Sequence, residues 1–224
     1  MFLLKLKAVL FDLDDTLLDL KEASLVSFNK ALKSHNLRPI SMEEMLSYWC
    51  MSWTEVIKSV IGSDKIQDEM RRSIGMEYMS RFNEIHLAYS KIFPEAYDTL
   101  SSIHDMGLPI GIVSRRPRAA IEAELKKFRL TNFVKVIVGS DDVRDHKPSP
   151  SPVLLATALL NILPHECALV GDSPDDVQAG ELAGVITISV MTGPCKKEAI
   201  KQHPEIIIED LSLLVPTLKK LNLI

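Results

Sequence analysis

The sequence predicts an α/β protein: a parallel sheet covered by helices on both faces, with an all-helical block inserted after its first strand. Three observations predict it. From Pro94 onward short apolar runs alternate with amphipathic stretches, reading strand, helix, strand, helix. From about Leu20 to Lys91 the chain reads as helix after helix, with almost no strand pattern. The polar residues that could carry chemistry stand just past the ends of the apolar runs, where open parallel sheets bind ligands. The 224 residues suffice for one sizeable core and a smaller module. The expected division is 1–18 with 93–224 for the sheet, and 19–92 for the helical block.

Ala8-Val9-Leu10-Phe11 is the first strand, an unbroken apolar run closed by Asp12. Inside the helical block, Ser41-x-x-Glu44 and Ser52-x-x-Glu55 are capping-box signatures, in which a hydroxyl and a carboxylate satisfy orphan amides at helix starts. Asp64-x-x-Gln67 opens a longer helix running towards Phe82. The joints near Asp19 and Ile92–Pro94 are short, without a Gly/Ser linker. Pro94 to Met106 reads as a helix ended by Gly107, followed by the strand Ile110-Gly111-Ile112-Val113, which ends at Ser114. Pro117 suits the first turn of a helix over Arg118–Phe128, where its missing N–H is not needed. Strands at Val134–Val138, Ala168–Gly171 and Val185–Val190 interleave with helices at about Ser151–Leu160 and Asp175–Ala183. Ile206–Ile208 is one more short strand, and Leu211–Leu221 the last helix.

Composition narrows the function classes. Apolar residues make up 46% and charged residues 25%, ordinary for a globular enzyme. A net charge of -4 disfavours nucleic acid, whose partners carry clustered basic residues. No apolar stretch reaches the length of a membrane span, and Met1–Leu10 lacks the pattern of a signal peptide. Cys50, Cys167 and Cys195 are odd in number and have no ligand-like spacing, which argues against a disulfide framework or a zinc site and for a reducing compartment. A cytoplasmic location is expected.

Four segments carry chemistry. Asp12-Leu13-Asp14-Asp15-Thr16 follows the first strand, and period-2 geometry puts Asp12 and Asp14 on one side of the backbone. Such a pair repels unless a cation or a shared proton compensates it. Ser114-Arg115 follows the second core strand, His146-Lys147-Pro148 the third, and Gly171-Asp172-Ser173-Pro174-Asp175-Asp176 the fourth. Each has a plainer reading when taken alone. Ser114 at a strand end makes a local turn bond. Lys147 ahead of a proline-rich helix start is a solvated surface residue. Asp175-Asp176 caps a helix against its dipole.

Taken in order, these segments resemble the haloacid dehalogenase superfamily, and the resemblance covers nearly the whole chain. It implies a Rossmann-like core with a helical cap inserted after the first motif. It implies Asp12 as a nucleophile that forms an aspartyl-phosphate, and Asp14 as the acid that protonates the leaving oxygen and then deprotonates water. Mg²⁺ is the implied cofactor, held by Asp12, the main-chain carbonyl of Asp14, and Asp172, with Asp176 as a second acid acting through water or Lys147. Ser114, Arg115 and Lys147 are the implied phosphate ligands. Haloacid dehalogenases themselves lack a carboxylate at the position of Asp14, so the implied activity is a phosphatase. The fuller pattern, with Phe93-Pro94 and Lys147-Pro148-Ser149-Pro150, is similar to phosphoglycolate phosphatases and their generalist relatives. The expected partner is a small phosphorylated metabolite, and the expected assembly a monomer or homodimer. Substrate choice is expected in the cap, at Trp49-Cys50-Met51-Ser52-Trp53. A sugar phosphomutase, a pyrophosphatase and a catalytically silent binding protein are the alternatives. The mutase is weakened because no Arg lies between Arg38 and Arg71 to grip a second phosphate.

Overall fold

The central strands carry unbroken apolar runs because both their faces are covered. The computed structural model describes residues 5–49, 51, 53–62, 68–195 and 201–224. Its strands are β1 (Ala8–Phe11), β2 (Leu18–Asp19), β3 (Lys91–Ile92), β4 (Ile110–Val113), β5 (Val134–Val138), β6 (Cys167–Gly171), β7 (Ile186–Val190) and β8 (Ile206–Ile208). Six of them form one parallel sheet in the order β5-β4-β1-β6-β7-β8. Every residue of β1, β4, β6 and β7 is buried, as a doubly covered parallel sheet requires. The chain steps outward from β1 through β4 to β5, then jumps to β6 on the other side of β1. That reversal leaves a crevice at the carboxyl ends of β4, β1 and β6.

Contacts divide the chain into two units, Met1–Leu18 with Ile92–Ile224, and Asp19–Lys91. In the first, α5 (Ala96–Asp105), α6 (Arg118–Lys127), α7 (Ser151–Leu160), α8 (Pro174–Ala183) and α9 (Leu214–Lys220) surround the sheet. Val153 and Ala156 of α7 and Ala179 and Ala183 of α8 pack with Leu10 and Leu169 in one apolar cluster. The second unit contains α1 (Lys21–Ser34), α2 (Met42–Tyr48), α3 (Trp53–Ile61) and α4 (Asp68–Tyr89). Phe28, Leu32, Ile40, Ile57 and Ile74 are central to its own core, and Trp49 packs against them half-buried. The Asn29 side chain pins the turn before α2, donating to the Ile40 carbonyl and accepting from its N–H.

The capping box at Ser41 and Glu44 is present, with both reciprocal bonds made. The second box at Ser52, the helix start at Asp64–Gln67, and Cys50 and Ser52 of the loop between the tryptophans lie outside the described residues. Two expectations, for α4 and for the last helix, need correction. Helix α4 runs on to Tyr89 rather than stopping near Phe82, because Asn83–Tyr89 contains no glycine or proline to end it. The short joints near Asp19 and Ile92 include the paired two-residue strands β2 and β3. The last helix begins as a 3-10 turn, Leu211–Leu213, capped by Asp210, before α9 takes over. Cys167 is a buried free thiol, whereas Cys195 is disulfide-bonded, against the expectation of a chain without disulfides. Among the described residues no helix is long and apolar enough to cross a membrane.

Candidate active site

The three strands that meet at the crevice each end in a polar residue. Asp12 continues β1 by one residue, its N–H bonded to the Val170 carbonyl at 2.9 Å. Asp172 follows β6, and Ser114 follows β4 with its N–H on the Val138 carbonyl at 3.0 Å. All three are buried. Lys147, on the segment between β5 and α7, is buried too, and its three donors are all engaged. It reaches Asp12 Oδ1 at 2.6 Å, Asp176 Oδ1 at 2.5 Å and the Val113 carbonyl at 2.9 Å. Its spacing taken alone reads as a surface lysine, and only the order of the four segments points to the site. The structure makes it the ammonium at the centre of a carboxylate cluster.

Asp176 is fixed from the other side by a capping box at the start of α8. Ser173 donates its hydroxyl to Asp176 Oδ2 at 2.5 Å and its N–H at 3.2 Å. Both oxygens of Asp176 therefore have protein partners, which makes it the anchor of Lys147. Asp172 accepts a 3.3 Å bond from the Thr16 hydroxyl. Asp15 takes a φ of +59°, a left-handed conformation that Asp tolerates better than most residues. The Thr192 hydroxyl holds its carbonyl at 2.6 Å. Gly193 lies so close to Asp172 that a Cβ there would overlap the carboxylate Oδ2.

Burial pushes the Asp12 carboxyl up to about 7 against the pull of Lys147, with the charges of Asp176 and Asp14 adding to the rise. Burial likewise raises Asp172 well above the usual carboxylate range, helped by Asp12, Asp176 and Asp15. Burial also disfavours the charge on Lys147, but Asp12 and Asp176 outweigh it and hold the ammonium protonated. Asp14 is raised by burial against the opposing Arg116. Its side chain is 35% exposed, so that push is weaker than for Asp12 or Asp172.

The donor set fits a hard divalent cation. Carboxylate oxygens of Asp12, Asp172 and Asp176 lie within 4.8 Å of one another, all buried. With all three ionised against one ammonium, two negative charges would need compensation, and oxygen donors alone suit Mg²⁺. The Asp14 carboxylate is not part of this group.

Two expected phosphate ligands are placed differently from each other. The Ser114 hydroxyl accepts the Arg116 N–H at 3.2 Å, which is the plain turn bond, and that bond does not use its O–H donor. Arg115 turns outward, 61% exposed, and pairs with Asp175 at 2.8 Å. The arginine that turns inward is Arg116, 3.3 Å from Asp14 Oδ1 and 3.5 Å from Glu124 Oε1 of α6. Sequence reasoning passed over Arg116, Ser173, Thr16 and Gly193. Ser173-x-x-Asp176 is a capping-box pattern and could have been found. The others act across long sequence separations and leave no local signal.

Gly193→Ala is expected to displace Asp172 and to lower kcat/KM about 10²-fold, as small misplacements in active sites do. Steady-state kinetics with a thermal melt would check it. An unchanged rate would mean that the 191–195 loop does not set the position of Asp172.

Comparison with known proteins agrees with this arrangement. The haloacid dehalogenase-like hydrolase family matches residues 9–190. A phosphoglycolate phosphatase from Salmonella typhimurium is 27% identical over 234 aligned positions, covering 95% of this chain and 92% of that protein. The Escherichia coli K12 phosphoglycolate phosphatase is 26% identical over the same shares. Among solved structures, a haloacid dehalogenase-like family hydrolase from Streptococcus pneumoniae superposes with a TM-score of 0.81 at 15% identity. It covers 95% of this chain and 98% of its own, a likeness of fold.

Proposed function

The chain belongs to the haloacid dehalogenase-like hydrolase family, and on that premise we propose that it is a Mg²⁺-dependent phosphatase of a small phosphorylated metabolite. The observation that carries this reading is Lys147 Nζ, 2.6 Å from Asp12 Oδ1 inside a buried three-carboxylate cluster. A carboxylate attacks an anionic phosphoryl group only when positive charge is gathered on both.

Asp12 and Asp172, with Asp176 beside them, would hold Mg²⁺, and the ion would supply charge neutralisation at the phosphoryl oxygens. The remaining chemistry belongs to the protein. An Asp12 oxygen attacks phosphorus, the bond from phosphorus to the leaving oxygen breaks, and the Asp14 carboxyl proton passes to that oxygen. Asp14, now ionised, takes a proton from water as the water attacks the aspartyl-phosphate. The Asp12–phosphorus bond breaks and both side chains return to their starting states. Lys147 stays protonated throughout and steadies the Asp12 carboxylate. The Ser114 O–H is available to a phosphate oxygen. Arg115, out at Asp175, serves an anionic part of the substrate rather than the phosphoryl group. The Asp19–Lys91 unit serves as the cap that selects the leaving group. The similarity to phosphoglycolate phosphatases makes phosphoglycolate the first substrate to test.

The test is phosphate release from phosphoglycolate, pyrophosphate and hexose phosphates, with Mg²⁺ and with chelator. At least one substrate is expected to turn over about 10²-fold faster with Mg²⁺. Isomerisation of a sugar 1-phosphate without phosphate release would replace this reading with the mutase. Silence across the panel would count against catalysis altogether.

A further inference from the structure

We propose that Arg116 is a positioning residue for Asp14, and that Glu124 buried in α6 holds Arg116 in place to do so. The assignment rests on the phosphatase reading above, which gives Asp14 a proton to deliver in one direction.

Asp14 lacks the enclosure that fixes the other carboxylates. It stands in the turn after β1, one-third exposed, in contrast to the buried cluster of Asp12, Asp172 and Asp176. A carboxylate in such a turn samples several rotamers unless a partner selects one. Arg116 approaches from the turn after β4, the neighbouring strand, so its backbone is fixed by the same sheet that fixes Asp14. Its N–H is bonded to Ser114 Oγ and its guanidinium Nη1 lies 3.3 Å from Asp14 Oδ1. A planar guanidinium on a pinned backbone sets direction as well as charge.

Glu124 completes the arrangement. It is fully buried, in the middle of α6, with Oε1 at 3.5 Å from the same Arg116 Nη1. A buried Arg–Glu pair gives little or no stability over an apolar pair of similar size, because desolvation offsets the attraction. Its presence behind an acid–base residue is therefore better explained by placement than by stability. One nitrogen shared between Glu124 and Asp14 ties the position of α6 to the orientation of Asp14.

The test uses the whole protein and two substrates. Arg116→Met with Glu124→Gln removes the guanidinium together with the charge of the buried carboxylate it faces, and a thermal melt with circular dichroism checks that the double variant folds. Kcat/KM, which covers the steps up to phosphoryl transfer onto Asp12, is measured for p-nitrophenyl phosphate and for an alkyl phosphate. The alkyl oxygen needs the proton from Asp14, while the nitrophenolate leaves without it. The double variant is expected to lose about 10²-fold on the alkyl ester and under about 5-fold on the aryl ester. Arg116→Lys is expected to recover part of the alkyl loss. Equal losses on both esters, or none, would overturn the assignment. If the wild type releases phosphate from neither, the phosphatase reading fails and this assignment falls with it. Crystal structures of wild type and double variant give a readout independent of turnover. Asp14 should leave its wild-type rotamer, and an unmoved Asp14 would overturn the proposal even where the kinetics agree.

Discussion

Asp12→Asn is expected to lower phosphate release on the order of 10⁴-fold or more, because an amide cannot open the reaction as a nucleophile. The substitution is nearly isosteric, and the amide oxygen can still accept the Lys147 bond now made at 2.6 Å. Folding should therefore survive, and the sign of the stability change depends on pH. In the cation-free protein Asp12 is raised to about 7, so the folded state holds a proton that the unfolded chain releases near the ordinary aspartate value of 3.8. Its contribution to stability is present below that lower value and is lost as pH rises through about 7. Asp12→Asn should thus melt at or above the wild-type temperature at pH 8 in chelator, and close to it at pH 5. Intact-mass analysis of quenched reactions gives the second check, a phosphoryl adduct on the peptide bearing Asp12 in the wild type alone. Turnover at wild-type rates by the variant would remove Asp12 from the mechanism.

The α/β architecture could be read from the chain because its local signals agree with one another. Ala8–Phe11 and Cys167–Gly171 are apolar without interruption, and a strand buried on both faces demands that. Pro117 and Pro174 stand where helices begin, and Gly184 ends α8 in the left-handed conformation. Asp12, Ser114, Lys147 and Asp172 could be singled out because each follows an apolar run in the order the family pattern requires. What could not be read was direction. Nothing in Ser114-Arg115-Arg116 says which arginine turns inward, since the strand period stops at Val113 and the turn beyond it is irregular. The outcome depends on Glu124 and Asp14, eight residues on and 102 back, which local pattern cannot link. Gly193 is similar. Its need for no side chain comes from Asp172, packed against it from another loop.

Lys147→Met is expected to cost more than any other single change outside the nucleophile, in both activity and stability. Lys147 bonds both Asp12 and Asp176, and the Val113 carbonyl takes its third donor. Removing one partner of a buried ion pair typically costs about 3–5 kcal/mol, because the remaining charge is left uncompensated. Here two carboxylates lose it together. The lysine's own raised protonation contributes equally at all pH values well below 10.5, so by itself it predicts no change between pH 5 and 8. The pH dependence comes from Asp12. Without the pull of Lys147 its carboxyl rises above about 7, so the folded variant holds its proton further into the alkaline range and loses more stability there. Near pH 5 the carboxyl is protonated with or without Lys147, and the deficit shrinks. Thermal melts of both proteins in chelator at pH 5 and pH 8 should show a larger gap at pH 8. Mg²⁺ at pH 8 should narrow that gap by supplying charge to the same carboxylates, yet kcat should stay down by about 10³-fold, since the cation does not replace the ammonium beside the nucleophile. A gap of equal size at both pH values would mean that the Asp12–Lys147 contact does not govern protonation of the nucleophile.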